Sequence, residues 1–129
     1  NMSFKERDLT IEDLKEGKFN VLITTNLLAR GFDNVLSTVV INFDFPSLFD
    51  RDIPPEQRDI DLDIYLHRIG RCGRFARNGY AFTIITDEET GQRNIEKLRS
   101  TYQVPIEKVE SLELLRAEIE QSAKSSSTD

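Results

Sequence analysis

The residues with most chemical potential stand in one short run, His67-Arg68-Ile69-Gly70-Arg71-Cys72-Gly73-Arg74, followed by Arg77. Arg68, Arg71, Arg74 and Arg77 recur at every third position. On a helix, that spacing puts successive residues on adjacent turns of one face. Guanidinium groups gathered on one face repel each other unless anions, or carboxylates of another element, sit opposite. Gly70 and Gly73 also recur by three, and each costs a helix about 1 kcal/mol relative to alanine. Glycines interleaved with arginines therefore point to close backbone approach, or to a helix broken where the break is needed. The chemistry on offer is anion binding. An arginine fork grips phosphate oxygens in pairs and keeps its charge. Placed beside a transferring phosphoryl group, it is worth about 10³–10⁵ in rate. The competing reading is a solvated basic helix with surface salt bridges to acidic loops. Spacing alone leaves both open, and the glycines weigh against the second. A lone histidine ahead of such a row is more often a surface residue than a catalytic base, so His67 is assigned no proton transfer.

A second candidate is Thr24-Thr25-Asn26-Leu27-Leu28-Ala29-Arg30-Gly31-Phe32-Asp33, directly after an apolar run. Hydroxyls and backbone N–H groups at a strand-to-helix turn bind phosphate well. Asp33 has the chemistry to accept hydrogen bonds from ribose hydroxyls. Plainer roles stay open here: Thr25 as a helix cap, Asp33 as a turn cap.

These residues need elements to hold them. Residues 8–19 read as an amphipathic helix with Leu9, Ile11, Leu14 and Phe19 among charges, and Gly17 suits its stop. Val21-Leu22-Ile23-Thr24-Thr25, Thr38-Val39-Val40-Ile41-Asn42-Phe43 and Tyr80-Ala81-Phe82-Thr83-Ile84-Ile85 lack polar alternation, as strands buried on both faces do. Asn78-Gly79 opens the third run. A helix is expected to start at Ile64, with Asp63 as its cap. Residues 88–102 form another, with Ile95, Leu98 and Tyr102 on one face; a short strand over 104–109 and a helix over 111–120 complete the order. Residues 46–63 carry three of the four prolines and many acids, and read as a long solvated loop. The Ser-rich tail from Ser122 reads as disordered. Strands alternating with helices imply a parallel α/β sheet with helices on both faces. In such sheets function gathers at the carboxyl ends of the strands, which directs attention to the loops after Thr25, Phe43 and Ile85.

Composition narrows the partners. The 129 residues suffice for one domain, and an apolar fraction of 38% allows a modest core. Charged residues make up 31%, yet the net charge is -6, so contact with phosphate must come from a local cluster and not from the average field. Cys72 is the only cysteine, which excludes an intrachain disulfide and suits a reducing compartment. No run of apolar residues is long enough to cross a membrane as a helix, and the start has no signal-peptide layout.

The text His67-Arg68-Ile69-Gly70-Arg71-Cys72-Gly73-Arg74 resembles motif VI of superfamily-two helicases, and Tyr65-Leu66-His67-Arg68-Ile69-Gly70-Arg71 is similar to its DEAD-box form. Cys72 stands where the family has Thr or Gly. Ala29-Arg30-Gly31-Phe32-Asp33 resembles motif V, with Phe32 for the usual Ile or Leu. Met2-Ser3-Phe4-Lys5-Glu6-Arg7-Asp8 resembles the motif ahead of the second helix of the same domain, with Phe4 where many members have Gln. The resemblance implies an α/β, RecA-like (P-loop NTPase-like) second domain of a DEAD-box RNA helicase, N-terminally truncated. It covers residues 1–121 and leaves 122–129 as a tail. It further implies that Arg71 and Arg74 reach the γ-phosphate of ATP, that Asp33 and Gly31 lie at the nucleotide, and that Thr25, Asn26 and Arg7 contact the RNA backbone. His67, Arg68 and Arg30 are assigned to closure of two domains. Asn26, the acidic spacer and Val40-Ile41-Asn42-Phe43-Asp44-Phe45-Pro46 are most similar to the nuclear-pore mRNA-export branch.

By that resemblance the nucleotide is ATP with Mg²⁺, the metal being held by a first RecA-like domain that this sequence lacks. The partners are RNA, that first domain, an inositol-hexakisphosphate-dependent activator and a nuclear-pore protein, in the cytoplasm or nucleus, with no membrane. No G-x-x-x-x-G-K-[ST] and no Asp-Glu-Ala-Asp occurs in the sequence. The piece alone is therefore expected to hydrolyse no ATP, and its sheet to show an unpaired edge open to dimerisation or strand exchange. Two rival readings remain: a DNA helicase of the same superfamily, and a non-catalytic interaction module.

Overall fold

The computed structural model describes residues 2–26, 38–72 and 79–126. The chain divides into two compact units, residues 1–35 and 36–129.

In the first unit, helix α1 spans Phe4–Lys15. It begins earlier than the apolar periodicity indicates because Ser3 and Glu6 form a capping box. The Glu6 N–H donates to Ser3 Oγ at 3.4 Å, and the Ser3 N–H donates to Glu6 Oε2 at 2.6 Å. The helix buries none of its residues. Gly17 takes φ +73, where L side chains are strained, and its N–H closes onto the Leu14 carbonyl at 3.0 Å. The expected strand at 21–25 is an irregular segment instead. Val21 and Ile23 are 76% and 94% exposed. A β-rich run becomes a strand only when a neighbour completes its ladder, and no described residue does so here.

In the second unit, β1 (Val39–Asn42) pairs in parallel with β2 (Tyr80–Thr83), in register from Val39↔Tyr80 to Asn42↔Thr83. The parallel pairing matches the sequence reading; burial on both faces does not. Val40 and Asn42 turn inward, whereas Val39 and Ile41 stay exposed, Ile41 by 63%. Among the described residues only one face of β1 is covered.

Helix α2 spans Leu62–Ile69 and is capped by Asp61, not by Asp63. Asp61 Oδ1 accepts the Ile64 N–H at 3.0 Å, which leaves Asp63 in the first turn as an acid favourable to the helix dipole. Helix α3 (Glu88–Tyr102) has the expected bounds, with Asp87 as cap. Helix α4 (Leu112–Ser126) follows a segment over 104–109 that forms no strand, and it runs on as helix into the Ser-rich stretch from Ser122.

The core is small. Ile60, Tyr65 and Leu98 are buried together, with Phe45, Leu62, Ile69, Tyr102 and Ile106 packed against them. Gly91 lets α3 pack closely on the segment that leads from β2 into it: a Cβ there would lie 2.3 Å from Ile85 Cγ2. The acidic loop over 46–63 is pinned at its neck by an antiparallel bridge between Ser47 and Ile60 and contains a 3-10 turn at Pro55–Gln57. Asp59 pairs with Lys97 of α3 at 3.1 Å.

Candidate nucleotide- and RNA-contact residues

The arginine row does not lie along one helix. Helix α2 ends at Ile69, and Gly70 forms its C-cap. The Gly70 N–H donates to the Leu66 carbonyl at 2.8 Å, and a Cβ at Gly70 would sit 2.9 Å from that same oxygen. A side chain there would spread the last turn, so glycine is the residue that permits a compact end. Of the two readings for the interleaved glycines, the broken helix is the one observed at Gly70; Gly73 and Arg77 lie outside the described residues. Arg68 therefore belongs to the helix, whereas Arg71 belongs to the turn after it.

Arg68 folds back onto the carboxyl end of β1. Its Nη1 donates to the Asp44 carbonyl at 2.9 Å, to Asp44 Oδ1 at 3.2 Å and to Asn42 Oδ1 at 3.5 Å. The Arg68 side chain is only 18% exposed, whereas that of Asp44 is 76% exposed. Asn42 is buried and passes the contact on: its Nδ2 donates to Thr83 Oγ1 at 3.4 Å. The Tyr65 hydroxyl lies 3.5 Å from the same Thr83 oxygen. Polar groups from β1, β2 and α2 thus meet where the strands end. Buried groups of this kind must find partners, and these do.

Arg71 is half-buried. Its Nε donates to the His67 carbonyl at 3.2 Å, and its N–H donates to the Arg68 carbonyl at 3.3 Å. His67 itself is exposed. Cys72 packs beside them with its Sγ 3.0 Å from the Ile69 carbonyl, and burial pushes its thiol pKa up. The thiol is therefore held in its protonated, weakly nucleophilic form at neutral pH.

His67, Arg68 and Arg71 are thus brought together at the end of α2. Arg74 lies outside the described residues, as do Arg30, Gly31 and Asp33. In the first unit, Arg7 sits in the first turn of α1 with its guanidinium 5.4 Å from the centre of the Phe4 ring. Phe4, which replaces the family's glutamine, supports Arg7 by a cation–π contact. Thr25 and Asn26 are exposed, and the Thr25 carbonyl accepts the Thr24 hydroxyl at 3.2 Å.

Sequence reasoning missed Asn42 and Asp44. The one signal available was a polar pair, Asn42 and Asp44, interrupting an apolar run at a strand's carboxyl end.

A family model described as the helicase conserved C-terminal domain matches residues 1–76. The chain is 44% identical over 97 residues to the ATP-dependent RNA helicase DBP5 of Meyerozyma guilliermondii, covering 75% of this chain and 18% of the relative. It is similar to the solved structure of S. cerevisiae Dbp5 bound to RNA and ADP BeF3, with TM-score 0.76 and 31% identity over 94% of this chain and 30% of that one. A second structure, a S. cerevisiae Dbp5 variant bound to nup159, gle1, IP6 and ADP, matches with TM-score 0.70 and 27% identity over 96% of this chain and 30% of that one. The fold is accordingly the RecA-like α/β arrangement that the motifs imply. The chain spans about a fifth of the length of the curated relatives it matches.

Proposed function

This chain belongs to the helicase conserved C-terminal domain family, and from that premise we propose that it is part of the second RecA-like domain of an ATP-dependent DEAD-box RNA helicase. In the whole protein this domain closes against a first domain that carries ATP. Closure brings Arg71, with Arg74, to the γ-phosphate. There the guanidinium stabilises charge that develops on the phosphoryl oxygens, a contribution of about 10³–10⁵ in rate where such arginines operate. Asp33 and Gly31 border the ribose and phosphates, and Arg30 and His67 take part in closure. Thr25, Asn26 and Arg7 hold the RNA sugar-phosphate chain without reading its sequence, since phosphate contacts position and do not specify.

The observation that carries this reading is the placement of Arg71. It stands in a turn beyond a helix stopped by Gly70, three residues after Arg68, whose guanidinium reaches the carboxyl end of β1, the end at which α/β sheets keep their ligands. Its donor chemistry suits a polyphosphate. Mg²⁺ belongs with carboxylates of the first domain, and this chain contributes cations to the same polyphosphate from the other side.

The two solved Dbp5 complexes support RNA, an IP6-dependent activator and a nuclear-pore protein as partners, and hence work at the nuclear pore in mRNA export or in stripping proteins from RNA. The test is Arg71→Ala in the full-length protein. ATP turnover should fall by roughly three orders of magnitude while ATP binding persists. Turnover at the wild-type level would remove the arginine from the chemistry.

A further inference from the structure

We propose that Asp44 and Asn42 are positioning residues for Arg71, acting through Arg68; this rests on the reading that Arg71 serves the phosphoryl transfer. Arg68, on this view, is an anchor within the second unit and not a closure contact.

Helix α2 has eight residues, too few to be stable by itself. Its first turn is held by Asp61, and its middle by the burial of Ile64 and Tyr65. Its last turn is held by Ile69, packed against the core, and by Arg68. That side chain gives one nitrogen, Nη1, to three oxygens at the end of β1: the Asp44 carbonyl, Asp44 Oδ1 and Asn42 Oδ1. Asn42 is 3% exposed and uses both ends of its amide, the oxygen toward Arg68 and the nitrogen toward Thr83 of β2. The network therefore joins both strands to the helix end. Arg71 hangs directly from that end, through the Arg68 and His67 carbonyls at 3.3 and 3.2 Å. A shift of the last turn moves the Arg71 guanidinium with it. Asp44 is mostly exposed, so replacing it removes a tie without opening the core.

The experiment uses the full-length protein and steady-state RNA-stimulated ATP turnover, with Asn42→Ala and Asp44→Ala alone and each combined with Arg71→Ala. Asp44→Asn serves as the milder variant should Asp44→Ala fold poorly. Expected is a kcat lower by about ten- to a hundredfold, the scale of a small misplacement of a catalytic group. KM for ATP and for RNA should stay near wild type; the thermal unfolding midpoint should be little changed in Asp44→Ala and lowered in Asn42→Ala, which leaves Thr83 and Arg68 each a partner short. Combination with Arg71→Ala should cause no further loss. If Arg71→Ala is inactive while Asn42→Ala and Asp44→Ala turn over normally, the anchor is overturned and the role of Arg71 stands. Losses that add to that of Arg71→Ala, or that fall on KM alone, also overturn it. Normal turnover by Arg71→Ala removes both ideas together.

Discussion

Arg7 stands on one helix and Arg71 in the turn just beyond another, and the two helices are built by opposite means. Helix α1 meets its needs locally: a capping box opens it, Gly17 closes the chain behind it, and no residue of it is buried. Helix α2 is shorter and owes its existence to its neighbours. Tyr65 stacks near Phe45 at 6.2 Å, Ile64 is buried, and Arg68 is tied to β1. The contrast fits what each arginine is proposed to do. A side chain that grips any phosphate of an RNA chain tolerates a self-sufficient helix with freedom to adjust. One that must meet a single phosphoryl group needs a place fixed by tertiary structure.

The largest expected effect tests that dependence. Leu98→Ala opens the centre of the core at a residue 1% exposed, and should cost about 2–5 kcal/mol in denaturant unfolding. NMR signals of the Arg71 turn should be lost with it, while those of α1 persist. Loss of both together would end the contrast. Next, Asp61→Ala removes the cap of α2 and should cost about 1 kcal/mol in the same measurement. An unchanged midpoint would mean that packing alone sets this helix.

Acid provides a smaller and graded test. Backbone and side-chain hydrogen bonds with Ser3 lower the Glu6 pKa, and those with Thr90 lower that of Asp87 at the cap of α3. A carboxyl group whose pKa is lower when folded binds fewer protons in the native state. Its stabilisation is complete above the ordinary carboxylate range and vanishes as pH falls through the lowered value. Helix content followed by circular dichroism should hold through the ordinary range and drop only below it. Ser3→Ala should move the α1 part of that drop to higher pH and leave α3 unaffected. The smallest effect is that of Arg7→Ala in the full-length protein. Stability should not change, and the salt dependence of single-stranded RNA binding should lose about 0.7 in slope. An unaltered slope would take Arg7 off the RNA.

The sequence made some of this legible for clear reasons. Helix α3 has its expected bounds because Asp87, the apolar spacing of Ile95, Leu98 and Tyr102, and the end at Tyr102 all agree. Strands β1 and β2 stand where β-rich runs announced them. The run at 21–25 looked the same and is no strand, because pairing is a property of two segments and not of one. Asp61 and Asp63 are equally good caps on paper; only the direction of the Ile64 N–H distinguishes them. The arginine spacing suggested one helical face and the interleaved glycines offered a break in it; the period alone does not show that the break falls at Gly70. The tie from Arg68 to Asp44 was out of reach. It joins residues far apart in sequence, and nothing near Arg68 names its partner.

The bridge between Ser47 and Ile60 has one more implication. With Leu48 bonded to Asp59 at 2.8 Å and Asp61 to Pro46 at 2.7 Å, a clasp stands between the tip of the acidic loop and the α2 cap. Lengthening such a loop adds closure entropy only logarithmically. The stretch between 49 and 55, ahead of the Glu56 carbonyl that accepts from Arg93, is therefore a place where a chain can gain or lose residues, and acquire new surface, without the turn that bears Arg71 registering the change.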